Sequence, residues 1–261
     1  MNKIIILNKK RLKAILLLFP ALLLILYLCY IFLIPYALPI VARQTRLVPI
    51  YYVEMQDKKI AFSFDASWGA AYTPTILKIL QENDITTTFF LTGFWVEKYP
   101  HMVKKIFDEG HEIGNHTLTH PHLNSLSEDQ IKDELEEISR MIREITGTKP
   151  ELFRPPFGEY SNKVVATAKE CGYQTIQWSI DSLDWQELGK EPMVKRVTEN
   201  LHPGAIILFH NNGKYTAEAL PEIINFVKEE GYEILPISEL IYKDNYYIDS
   251  NTGAQIQKSK R

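Results

Sequence analysis

The side chains that could do metal or acid–base chemistry lie in five short segments between Phe62 and His210. They are Phe62-Ser63-Phe64-Asp65, His116-Thr117-Leu118-Thr119-His120, Arg154-Pro155-Pro156-Phe157-Gly158, Asp181-Ser182-Leu183-Asp184-Trp185 and Leu208-Phe209-His210. Two imidazoles four residues apart share one face of a helical turn, which would let His116 and His120 reach one metal ion. A carboxylate and a third imidazole supply the other needs of a hydrolysis: a base for water and an acid for the leaving group. Taken singly, each segment has a plainer reading. HxxxH can be two surface histidines, a strand-end Asp can cap the next helix, and a His after a buried strand is usually packing. Their order along one chain is the stronger signal.

The elements that must position these residues are legible in the pattern. Lys59 to Phe64 reads as a buried strand ending at Asp65, Thr73-Pro74 opens a helix running through Leu80, and Thr86 to Leu91 is β-branched and aromatic. Helical patterns then end at Glu109-Gly110, Cys171-Gly172 and Glu230-Gly231, where Gly suits the left-handed position past a helix end. Short strand candidates follow each, at 112–115, 173–178 and 232–235. Ser127 caps the longest amphipathic helix, which runs to Ile145; Ala205 to Phe209 is another buried strand, and a helix from Ala217 to Glu230 follows it. Strands alternating with helices at this spacing predict a parallel α/β architecture. In a barrel of that kind functional groups gather at the C-terminal strand ends. Asp65, His116, Arg154, Asp181 and His210 all fall at or just after a predicted strand end.

Together, the five segments resemble the motifs of the polysaccharide deacetylase family, also called carbohydrate esterase family 4 or the NodB homology domain, from about Lys59 to Tyr242. The resemblance implies a distorted, incomplete (β/α) barrel and a divalent metal, zinc by preference with cobalt or nickel as alternatives, and no organic cofactor. It further implies His116 and His120 as metal ligands, Asp65 as general base, Arg154 as the residue that holds the base, and His210 as catalytic acid. Phe157 stands where the family usually has Tyr; its implied part is a backbone N–H in the oxyanion hole. Asp184 would raise the pKa of His210, and Asp181 could share or exchange that part. Trp185 would wall the sugar groove, with Pro156 and Leu208 as further substrate contacts.

One position departs from the pattern. The family usually carries a second Asp directly after the first, as a metal ligand, and here it is Ala66. Three outcomes follow: water or another carboxylate, Asp65 foremost, fills the place; the metal binds weakly through two histidines; or no metal binds and the domain only binds glycan. Ser63-Phe64-Asp65-Ala66-Ser67-Trp68-Gly69 also resembles a sporulation-associated subgroup of peptidoglycan deacetylases, with Trp68-Gly69 in place of the usual Gly-Pro.

The chain has 261 residues, a net charge of −3 and two cysteines, Cys29 and Cys171. That length allows one sizeable domain with an appendage. No basic patch argues for nucleic acid, and the cysteines form no framework. No charged residue occurs between Lys13 and Arg43. Lys3, Lys9, Lys10, Arg11 and Lys13 precede this apolar run, and only Arg43 and Arg46 follow it closely. About 20 apolar residues cross a bilayer, so the expectation is a membrane anchor at 14–36, with 1–13 cytoplasmic and the remainder outside. A cleaved signal peptide is the alternative, although Ile40-Val41-Ala42 matches its site poorly. A linker at 37–57, a catalytic domain at 58–243 and a polar, fraying tail at 244–261 complete the organisation.

The reading is a membrane-anchored, extracytoplasmic, metal-dependent deacetylase acting on N-acetyl groups of peptidoglycan amino sugars. Its partners are an N-acetylated glycan and the membrane. The alternative is a catalytically silent module of the same fold that binds glycan or serves as a scaffold. A zinc peptidase fits worse, because position 117 is Thr where that HxxxH spacing needs a basic Glu.

Overall fold

The computed structural model describes residues 13, 18–32 and 46–258, in two units that divide between Arg46 and Leu47. In the first unit, residues 18–32 form a helix exposed along its length. Among the described residues no helix is long and apolar enough to cross a membrane. The spanning helix expected at 14–36 is therefore not supported, and both ends of that stretch lie outside the described residues.

In the second unit, β1 is Tyr52–Val53 and β2 is Lys59–Ala66, buried from Ile60 onward. One face of β2 carries Phe62 and Phe64, whose rings meet Phe89 and Phe209 at centroid distances of 5.0 to 5.4 Å. Its other face carries Ser63 and Asp65, both bonded to Arg154. A strand covered on both sides reads as a nearly continuous apolar run. Ser63 and Asp65 alternate with Phe62 and Phe64, yet both faces of the strand are buried.

The remaining strands are β3 (Thr88–Leu91), β4 (Glu112–Asn115), β5 (Leu152–Phe153), β6 (Gln174–Thr175), β7 (Ile180–Asp181), β8 (Ile206–His210) and β9 (Glu233–Ile234). They form one parallel sheet in the order β6-β5-β4-β3-β2-β8-β7, with β9 pairing Lys59 and Ile60 of β2. The helices between them include α1 (Thr73–Glu82), α2 (Gly93–Lys98), α3 (Pro100–Asp108), α4 (Glu128–Thr146), α5 (Asn162–Glu170), α6 (Lys190–Glu199) and α7 (Thr216–Glu229). This is the parallel α/β architecture that the alternation of patterns predicts, in the curled, incomplete barrel form that the family resemblance implies. Ser127 caps α4 through a reciprocal pair of bonds with Gln130.

The C-terminal stretch differs from expectation. The chain from Asp244 to Lys258 does not fray: Tyr246–Ile248 (β10) and Ala254–Gln257 (β11) pair with each other, and β11 pairs with β1. The carboxylate of Asp249 holds the intervening turn by accepting from the backbone N–H groups of Asn251 and Thr252, each at 2.9 Å. Gly253 lies so close to Tyr51 that a Cβ there would sit 2.2 Å from the ring. Residues expected in the linker, Val48, Ile50 and Val53, are buried in the same unit. Polar composition misled here because the small sheet draws on main-chain pairing more than on apolar side chains.

Candidate active site

Asp65 and His210 are Cα partners on β2 and β8, so parallel register alone sets base and acid candidates side by side. Both line a pocket of about 470 Å³ at the C-terminal ends of the strands, together with His116, His120, Asp181 and Asp184. Arg154, immediately after β5, is fully buried behind it. Its Nη1 donates to Asp65 Oδ1 at 2.8 Å, and its Nη2 donates to Ser63 Oγ at 2.9 Å and to the Gln177 carbonyl at 3.2 Å. Arg154 thus holds Asp65 by a single bond, because Ser63 and Gln177 take the other nitrogen. The guanidinium also lies 4.2 Å from the Phe90 ring centroid. Burial pushes the Asp65 pKa up, but Arg154, His116 and His210 outweigh it and hold the carboxyl below its usual 3.8. Asp65 is ionised across the neutral range.

Opposite stands His210, and the structure decides which Asp holds it. Asp184 Oδ1 accepts from His210 Nδ1 at 2.7 Å, and Asp184 Oδ2 accepts from the His210 backbone N–H at 2.6 Å and from Thr216 Oγ1 at 2.8 Å. A side chain at Gly213 would have its Cβ 2.8 Å from the same carboxylate, so the loop after β8 needs its glycine to let Asp184 in. Burial lowers the His210 pKa, but the bond and charge of Asp184 outweigh it, and the net direction is upward from 6.5. Asp181 does not grip the imidazole. Its Oδ1 accepts from the Leu183 backbone N–H at 2.9 Å and its carbonyl from Arg196 Nε at 2.6 Å, while burial pushes its carboxyl pKa up.

The helical turn expected at His116 to His120 is not there. β4 ends at Asn115, and the chain bends through Thr117 and His120 with φ of 69° and 57°. Left-handed backbone at a β-branched Thr is strained. Asn115 Oδ1 accepts from the Thr117 N–H at 2.8 Å, and the Glu134 carboxylate on α4 accepts from the backbone and hydroxyl of Thr119 at 2.8 and 2.7 Å. The two imidazoles still meet, with centroids 4.9 Å apart. His116 Nδ1 donates to the Arg154 carbonyl at 2.7 Å, which leaves Nε2 as an acceptor 3.5 Å from Asp65 Oδ2. Burial lowers the pKa of both histidines, His120 to about 4, so both are neutral near pH 7.

Two neutral imidazoles suit a divalent cation. The rest of the donor set does not. Ala66 offers only a fully buried methyl in the core with Phe62 and Phe64, and it does not line the pocket. Among the described residues no group of three or more His, Cys, Asp or Glu is arranged to hold a metal ion. The residues present do not complete the metal centre that the resemblance implies.

Of the expected substrate contacts, Trp185 (57% exposed) and Leu208 line the pocket. Pro156 is buried and does not, while its neighbour Phe157, at φ 59°, presents a 55% exposed ring to the pocket. That ring stacks on His122 at 4.4 Å and meets His120 edge-on at 4.5 Å. Sequence reasoning assigned no part to Ser67, Trp68, Trp178, Glu187 or Lys214, which also line the pocket. Only Trp68, an aromatic where the resemblance leads one to expect Gly, carried a signal.

A family model described as polysaccharide deacetylase matches residues 52–176. The chain is 37% identical over 204 residues to peptidoglycan-N-acetylmuramic acid deacetylase PdaA of Bacillus subtilis, covering 77% of this chain and 78% of that protein. It is 37% identical over 194 residues to a peptidoglycan-N-acetylglucosamine deacetylase of Bacillus cereus, covering 72% and 91%. Among solved structures, wild-type BA3943 of Bacillus anthracis, described as a CE4 family pseudoenzyme, superposes with a TM-score of 0.71 at 39% identity, covering 74% of this chain and 68% of that one. A BA3943 mutant described as having restored enzymatic activity superposes equally well at 40% identity, over 74% and 70%. This chain belongs to the polysaccharide deacetylase family.

Proposed function

We propose that the protein is a deacetylase of the bacterial cell wall, hydrolysing N-acetyl groups on peptidoglycan amino sugars. The observation that carries this is the pairing of opposed groups across one pocket: Asp65, whose pKa Arg154 draws down, and His210, whose pKa Asp184 draws up. Two titratable groups pushed apart in this way are the signature of a base and an acid. In the proposed reaction Asp65 Oδ2 takes a proton from water as the water oxygen bonds to the acetyl carbon. The Phe157 backbone N–H is the proposed donor to the carbonyl oxygen as it becomes anionic. His210 Nε2, the nitrogen not bonded to Asp184, then gives its proton to the amide nitrogen. The C–N bond breaks, acetate and a free amino sugar leave, and the two side chains exchange protons with solvent to recover. The low Asp65 pKa keeps the base charged at the expense of basicity.

The names of the relatives support peptidoglycan but divide between N-acetylmuramic acid and N-acetylglucosamine, so the proposal extends to the class of sugar only. The apolar run after Lys13, with basic residues concentrated before it, supports an inserted N-terminus with the domain outside the cell membrane. The resemblance of Asp65-Ala66-Ser67-Trp68-Gly69 to the sporulation subgroup supports a part in sporulation.

A second reading has its own observation. With Ala66 at the ligand position and a pseudoenzyme among the similar structures, a silent glycan-binding module is the alternative. Acetate release from N-acetylated peptidoglycan fragments separates the two. Release that disappears in His210→Ala supports the deacetylase; equal release from parent and variant, or none from either, sinks it.

A further inference from the structure

Trp68 is 57% exposed, yet it is not loosely held. The carbonyl of the next residue, Gly69, accepts from Trp95 Nε1 at 2.7 Å and from Asn211 Nδ2 at 2.9 Å. Asn211 also donates to Thr73 Oγ1 at 3.0 Å, which ties the loop to the start of α1. The indole itself meets His120 edge-on at 5.1 Å and Phe94 at 6.1 Å. An exposed aromatic anchored from both sides has already given up its freedom, and that makes it a low-cost binding surface.

Its place in the fold says what it would bind. Exposed aromatics enter the pocket lining on loops after β2 (Trp68), β5 (Phe157) and β7 (Trp185). In the sheet, β8 with His210 lies between β2 and β7. The acid is thus flanked in strand order by the two loops that carry Trp68 and Trp185. Sugar rings present C–H faces that pack on aromatic faces, and a linear glycan offers one ring after another.

Resting on the glycan reading above, we infer that Trp68 is the platform for a second sugar ring. The pocket then takes a chain of at least three linked sugars, with the reacting ring at Asp65 and His210 and its neighbours against Trp68 and Trp185.

The test is calorimetric titration of the full-length chain in detergent micelles with N,N′-diacetylchitobiose and tetra-N-acetylchitotetraose. The parent should bind the tetramer about tenfold more tightly than the dimer, a gain of the size one aromatic contact supplies. Trp68→Ala should remove most of that gain, and Trp68→Phe should restore part of it. An unchanged tetramer-to-dimer ratio in Trp68→Ala overturns the subsite while leaving the glycan reading intact, and so does equal binding of both oligomers by the parent. No binding of either oligomer overturns both.

Discussion

The pocket has two halves built to different degrees of completion. In the acid–base half, every hydrogen-bonding atom of the Asp184 carboxylate is used, and Arg154 spreads its donors over Asp65, Ser63 and Gln177. In the metal half, His116 and His120 face the same space on a strained loop, and the residue after Asp65 is Ala66, whose methyl turns away into the core. Only Asp65 belongs to both, with one oxygen on Arg154 and the other 3.5 Å from His116 Nε2. As a metal ligand it could not serve freely as base. The two halves rest on different residues: the acid–base half on Asp65, His210 and Asp184, the metal half on two loop histidines and the position after Asp65.

The largest effect should come from removing a member of the complete half. Asp65→Asn or His210→Ala should lower acetate release by about 10²- to 10⁴-fold, read on peptidoglycan fragments; an undiminished rate would break the claim that this half does the chemistry. Next, Arg154→Met leaves the Asp65 carboxylate buried without its partner, at a cost of about 3–5 kcal/mol. Thermal unfolding should show a large loss of stability, and a near-parental midpoint would mean that Ser63 and solvent suffice.

The metal half is probed by Ala66→Asp. Elemental analysis after dialysis should show near-stoichiometric metal in this variant, disappearing when His116→Ala and His120→Ala are added. A parent chain that already retains one metal per molecule would erase the contrast between the halves. The smallest effect concerns pH. The His210 pKa is raised above 6.5, so the imidazolium persists above that value and activity should fall as pH climbs through the raised one. The stabilisation from its pairing has the same sign, fully present below 6.5 and lost as pH rises through the folded-state value. Asp184→Asn removes the carboxylate and leaves burial, which acts downward, so the alkaline limb of the rate profile should move to lower pH.

Several site features were legible from residues alone. Asp65, His116, Arg154, Asp181 and His210 were placed at strand ends by pattern, and the structure puts them there. The choice between Asp181 and Asp184 was not legible. Asp181 ends β7 and Asp184 follows three residues later, past a left-handed turn at Leu183, and it is Asp184 that bonds His210. The HxxxH spacing suggested a helix because periodicity records separation along the chain and not the path between. Asn115 and Glu134 bend that path, the latter from α4.

What the sequence by itself determined is the alternation of buried strands and amphipathic helices, the family, and the chemical types brought to the C-terminal rim. These follow from local pattern, since burial period, capping and turn residues act over a few positions. Tertiary structure alone decided the single-bond grip of Arg154, the tautomer of His116, the exposure of the anchored Trp68 and the folded C-terminal strands. Each of these depends on partners far along the chain, such as Arg154 with Asp65 or Asn211 with Gly69. Such contacts are fixed by packing and register, which one-dimensional spacing does not encode.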